Sequence, residues 1–211
     1  MKKLFILIAI VSITTASFAQ GNINKGDWMI GGDAGYTSSK TEYPGSSSDD
    51  KTKTFNLSPN VGYFFIKQLA GGLRVVVSST TEEYKSGTST LEDKETFSLI
   101  GPFLRYYFLP ATQKMNIFAD ATYGFGSNKS TPSGGTSSKS DLNGYGLTGG
   151  LALFLHPAVA LEFALKYQSL ENKFKSGSTT VEIANKSFGF GVGLQIHLAG
   201  KGGGMQRIDP K

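Results

Sequence analysis

Ser187-Phe188-Gly189-Phe190-Gly191-Val192-Gly193-Leu194-Gln195-Ile196-His197-Leu198 alternates without a break. Phe188, Phe190, Val192, Leu194, Ile196 and Leu198 fall on one face. Gly189, Gly191, Gly193, Gln195 and His197 fall on the other. A period of two is the mark of a strand whose faces meet different surroundings. Here one face is bulky and apolar, and the other is small or polar. No soluble surface is normally built of glycine, so the apolar face asks for an apolar solvent.

The same pattern recurs seven times upstream. Counting back, strands are predicted over 158–168, 142–155, 115–126, 95–108, 69–80, 52–65 and 27–37. Leu161, Phe163 and Leu165 oppose Glu162 and Lys166; Phe55, Leu57, Val61 and Tyr63 oppose Asn56, Ser58, Asn60 and Gly62. Ile66-Lys67-Gln68, Leu109 to Lys114 and His156-Pro157 are short connections. Ser38 to Lys51, Thr81 to Lys94, Ser127 to Asp141 and Ser169 to Lys186 are long and rich in Ser, Thr, Gly, Lys and Asp. Short turns alternating with long polar loops are the rhythm of an antiparallel transmembrane barrel. The expected fold is all-β, an eight-stranded up-and-down barrel over 20–198, with every long loop at one end.

Two arrangements share this alternation. A soluble lipocalin-like barrel encloses its bulky face around an apolar ligand, whereas a membrane barrel turns that face to lipid. A barrel of about eight strands has an interior just wide enough for side chains to fill it. The small face is therefore read as the lumen. Aromatics support this reading, because they cluster at strand ends on the bulky face, where a membrane places its interfacial girdles. Trp28, Phe65, Tyr106 and Phe108 lie at the turn end; Tyr36, Tyr123, Tyr145, Tyr167 and Phe188 lie at the loop end. The luminal charges also balance, with Asp33, Asp120 and Glu162 set against Arg74, Arg105 and Lys166. Charges at membrane depth must pair or stay hydrated. Hairpin register places Arg74 opposite Asn60 and Arg105 diagonal to Asp120.

The chain begins with Lys2-Lys3, a short apolar run from Leu4 to Val11, and Ser17-Phe18-Ala19. This is the pattern of a signal peptide over 1–19, cleaved after Ala19. The run is too short to span a bilayer as a helix. Residues 199–211 read as a flexible periplasmic tail. The formal charge of +5 falls to about +3 without Lys2 and Lys3, too little to imply nucleic acid. With no Cys and two His among 211 residues, neither a disulfide framework nor a His-rich metal site is expected.

Leu57-Ser58-Pro59-Asn60-Val61-Gly62-Tyr63-Phe64, with Ala70-Gly71-Gly72-Leu73 after its turn, and Gly101-Pro102-Phe103-Leu104-Arg105-Tyr106-Tyr107-Phe108 resemble the small bacterial outer-membrane β-barrels related to outer membrane proteins A and X. The resemblance spans about residues 26–198. It implies residence in the cell outer membrane, contact with its lipid bilayer, and insertion by the outer-membrane assembly machinery. That machinery reads a last strand that usually ends in an aromatic residue; Ile196 and Leu198 stand there in this chain.

No catalytic set can be assembled from the pattern. Gly189-Phe190-Gly191-Val192-Gly193 has no helix after it to hold a phosphate. Ser187 and His197 share a strand but lie about 33 Å apart at strand rise. Asp120 and Glu162 read as partners for basic groups rather than as an acid–base pair. The expectation is a non-enzymatic, monomeric barrel without cofactor, its lumen filled and its four polar loops displayed outside. The alternatives are a narrow porin-like channel and the soluble ligand-binding barrel.

Overall fold

The computed structural model describes residues 23–42, 49–86, 89–176 and 179–200. The expected signal peptide and the tail beyond Gly200 lie outside the described residues. Eight strands follow one another: β1 Trp28–Glu42, β2 Asp49–Ile66, β3 Leu69–Ser86, β4 Ser89–Tyr107, β5 Met115–Thr131, β6 Ser138–His156, β7 Val159–Ser176 and β8 Thr179–Leu198. Each pairs antiparallel with the next, and β1 pairs with β8 to close the barrel.

The faces fall as the alternation requires. Trp28, Ile30, Leu104, Ile117, Leu147, Phe163 and Leu194 are exposed on the outer wall, while Met29, Asn60, Arg74, Arg105, Asp120, Glu162 and Gln195 are buried within. The outward apolar runs Trp28–Tyr36, Phe55–Phe65 and Phe188–Leu198 have the length, about 9–11 residues, that a tilted strand needs to cross a bilayer. Between the two aromatic girdles no charged side chain among the described residues faces outward.

Two expectations are corrected. The long polar segments are mostly strand rather than loop. β2 and β3 stay in register up to Lys51↔Glu83, β3 and β4 up to Ser86↔Ser89, and β7 and β8 up to Ser176↔Thr179. Above the apolar belt a strand needs no greasy face; it needs cross-strand partners and β-tolerant residues. These segments supply both. Thr54 and Thr80 hydroxyls meet at 3.2 Å, Lys53 binds Glu83, Asn128 donates to Glu95 at 2.6 Å, and Ser140 donates to Asn172 at 3.3 Å. What projects is a wall of paired hairpins.

The second correction concerns register. Arg105 stands directly opposite Asp120 rather than diagonal to it. The β4–β5 connection, residues 108–114, is one residue longer than predicted, and Asn116 on β5 reaches back to brace it. Its side chain accepts from Leu109 N at 2.9 Å and donates to Leu109 O at 2.7 Å, closing the turn from within. Arg74 does lie opposite Asn60.

One seam differs from the rest. The β1–β8 ladder runs for only seven rows, from Trp28↔Leu198 to Ala34↔Val192, whereas every other pair of neighbours has twelve or more.

Candidate functional site

The lumen collects the chemistry. Arg74 on β3, Arg105 on β4, Asp120 on β5 and Glu162 on β7 share the same inward parity, and the barrel's width brings the four together. Arg74 donates to both carboxylate oxygens of Asp120, Nη1 to Oδ1 at 2.9 Å and Nη2 to Oδ2 at 3.0 Å. Arg105 reaches the same carboxylate through Nε at 3.1 Å and Nη2 at 2.8 Å. Its Nη1 spans the lumen to Glu162, 2.7 Å from Oε1 and 2.9 Å from Oε2. Arg105 and Asp120 side chains are 3% and 0% exposed, so the dielectric around them is low and the pairing is obligatory. The remaining two charges, Lys166 on β7 and Asp33 on β1, bind each other nearer the hairpin end.

Beneath the charges lies a layer that the reading of a small luminal face missed. Phe64, Tyr107, Phe118, Phe154 and Met29 are buried together with His197. Tyr107 is its hub, with ring centroids 6.0 Å from Phe64, 5.9 Å from Phe118 and 5.8 Å from His197. Its hydroxyl donates to Glu162 Oε1 at 3.2 Å and lies 3.2 Å from His197 Nε2, joining the layer to the ions above. Arg105 stacks over Phe118, 4.2 Å from the ring centroid, and Arg74 over Phe103 at 4.9 Å. Glycine makes room for the rings: a Cβ on Gly150 would stand 2.7 Å from Phe118 Cζ and 2.5 Å from Phe163 O. Phe64, Phe118 and Phe154 occupy inward parity in the sequence, but the glycines beside them point to an interior of small groups.

The turn end is closed further by the residues before β1. Ile23 is fully buried against the aromatic layer. Gln68 N donates to Ile23 O at 2.9 Å and Gly26 N to Phe64 O at 2.8 Å, fixing the segment across the mouth. Gln68 adopts a left-handed φ of 70°, and its side-chain amide is held by Tyr107 O and Leu109 O.

The aromatic positions named from sequence all lie on the outer wall, with Trp28 48% and Phe188 72% exposed and Tyr167 the most covered. Trp28 packs on Tyr63, Tyr106 on Phe108, and Tyr145 on Tyr167. Ser187 and His197 remain apart, the first lining the wide end of the lumen and the second in the aromatic layer. Among the described residues no cluster of His, Asp or Glu is placed to hold a metal ion. Chemically, the buried ions neutralise one another and lock four strands together.

Eight strands closed on themselves, greasy outside and ionic within, define an integral membrane β-barrel. The sequence model of the outer membrane protein beta-barrel domain matches residues 67–203, more than half of the chain, and the chain belongs to that family. It is a protein of the bacterial outer membrane, embedded in that bilayer. Among solved structures, outer membrane protein OprG of Pseudomonas aeruginosa superposes with a TM-score of 0.54 at 14% identity, covering 85% of this chain and 99% of OprG. Neisserial surface protein A gives 0.46 at 20% identity, covering 82% and 97%. Ail, the attachment invasion locus protein of Yersinia pestis, gives 0.44 at 15% identity, covering 82% and 99%. At these identities the likeness is one of fold. A comparison with curated proteins gave no match.

Proposed function

We propose that this protein is a sealed, non-enzymatic outer-membrane barrel that carries no bulk solute and presents polar hairpins to the cell's surroundings. The observation that carries the reading is the double closure of the lumen. The Arg74–Asp120–Arg105–Glu162 cluster sits directly on the layer of Phe64, Tyr107, Phe118 and Phe154. The void left inside the charge cluster is about 10 Å³, room for one water-sized body. Nothing that size forms a continuous path.

In this reading the chain is exported by its 1–19 segment, trimmed after Ala19 and inserted by the assembly machinery as a monomer. The short turns and the tail from Ala199 face the periplasm, and the hairpins face outward. The ladders of Thr, Ser, Lys and Glu then stiffen the display, so a partner meets a preformed rigid surface.

Planar-bilayer recording tests it. The intact protein should give no stable single-channel steps, while Phe64→Ala with Phe118→Ala, which empties the aromatic layer, should raise leak. Steady, substantial steps from the unaltered protein would favour the narrow-channel reading.

A further inference from the structure

From the seam between β1 and β8 we infer a binding site for a neutral-headed, single-chain amphiphile, its head in the lumen and its tail on the lipid face. Three features meet there.

The first is the split itself. The ladder ends at Ala34↔Val192, below Tyr36, Phe188 and Phe190, which belong to the lipid-facing run. The wall thus parts at membrane depth. In lipid, backbone N–H and C=O groups without a strand opposite need another polar partner.

The second is a cavity of about 360 Å³ above the charge cluster, within the size range of small-molecule sites. Its luminal lining is rich in hydroxyls and amides, among them Thr37, Thr54, Asn56, Ser58, Gln168 and Ser187. It also touches Ala34, Phe188 and Phe190, whose side chains belong to the outer face. Among the described residues, outward-parity side chains enter the lining only from β1 and β8, the two strands of the split. The cavity's lining, among these residues, reaches the lipid face at that slit.

The third is an apolar groove of about 450 Å³ on the outer wall just below, lined by Gly32, Ala34, Leu57, Pro59, Leu161 and Leu194. It meets the cavity at Asp33 and Ala34, which line both. Gly32 gives the groove its depth: at φ 152° it opposes Pro59, and a Cβ there would stand 2.7 Å from Pro59 Cα.

An apolar trough leading through a slit into a polar chamber fits a tail and a head. The head class follows from charge. Among the described residues, the ionised groups lining the chamber are Lys166 and Asp33, which are bound to each other, so that lining offers hydrogen bonds without net charge. A hydroxyl- or amide-bearing neutral head satisfies it, whereas a carboxylate or phosphate would have to break that pair. The site depends on the barrel standing in a bilayer and not on its being sealed below.

The test uses the full chain refolded in phosphatidylcholine vesicles containing a monoacylglycerol with a diazirine in its chain. Photolabel should concentrate on β1 around Ala34–Thr37 and on β8 around Ser187–Val192. The chain has no native cysteine. Thr37→Cys with Gly189→Cys therefore gives a clean staple across the split, and a Cβ at Gly189 meets nothing within 4 Å. Oxidation should cut labelling of these positions at least fivefold, and reduction should restore it, which separates closure from misfolding. Labelling spread evenly around the belt, or unchanged by the staple, would overturn the site. Equal labelling by a diazirine fatty acid would overturn the neutral head.

Discussion

Arg105 is the residue on which the luminal network turns, and its removal has a calculable consequence. Arg105→Met deletes five charge-assisted or polar contacts, to Asp120, Glu162 and Tyr107. Asp120 keeps Arg74, but Glu162 loses its counterion and keeps the Tyr107 hydroxyl, in a site where its side chain is 8% exposed. Breaking a buried pair from one side costs about 3–5 kcal/mol, chiefly because a charge remains without its counterion. At about 1.4 kcal/mol per factor of ten, the folded-to-unfolded ratio should fall by roughly two to three and a half powers of ten. Adding Glu162→Gln removes the stranded charge and leaves one Arg74–Asp120 pair, so the four-group site is neutral again. The double variant should therefore regain about 2 kcal/mol relative to the sum of the singles. Reversible urea unfolding in lipid vesicles, followed by the gel mobility of folded against unfolded barrel, measures all three. Additive single effects would refute the claim that Arg105 and Glu162 act as one unit.

Three further outcomes are expected. Leu147→Arg puts a cation on the outer face between the aromatic girdles and should cost about 2–4 kcal/mol in the same assay. Asn116→Ala removes both bonds to the Leu109 backbone and should cost about 1–3 kcal/mol, with amide exchange accelerated across residues 109–116. The β2–β3 hairpin should loosen in acid. The Lys53 ammonium, by hydrogen bond and charge, holds the Glu83 carboxyl below its ordinary range, and Glu83 raises Lys53 in return. A lowered carboxyl stabilises above its ordinary value and loses this as pH falls through the folded one; a raised amine stabilises below its ordinary value and loses this as pH climbs past the folded one. Protection factors near Lys53 and Glu83 should thus be flat at neutral pH and drop in acid, and Glu83→Gln should abolish the drop.

Several features were legible in the residues alone. Alternation at β8 and its seven counterparts gave strand number, parity and the lipid face, because side chains of a strand point to opposite sides by covalent geometry. The six luminal charges followed from the same parity. The aromatic layer could have been read from Phe64, Phe118 and Phe154, and was missed because glycines beside them suggested an interior of small groups. The glycines are small in order to seat those rings.

What sequence could not supply was distance across the barrel. That Arg74 and Arg105 share Asp120, and that Arg105 also reaches Glu162 57 positions away, depends on how closure and stagger bring non-neighbouring strands to one level. The polar segments looked like loops because composition records solvent exposure, whereas their ladders arise only once a partner strand stands in register. The early end of the β1–β8 ladder has the same origin. Alternation is a property of one strand, and each strand carries it alone. Pairing, closure and the gap at the seam are properties of two strands meeting, and only the folded wall decides where they meet.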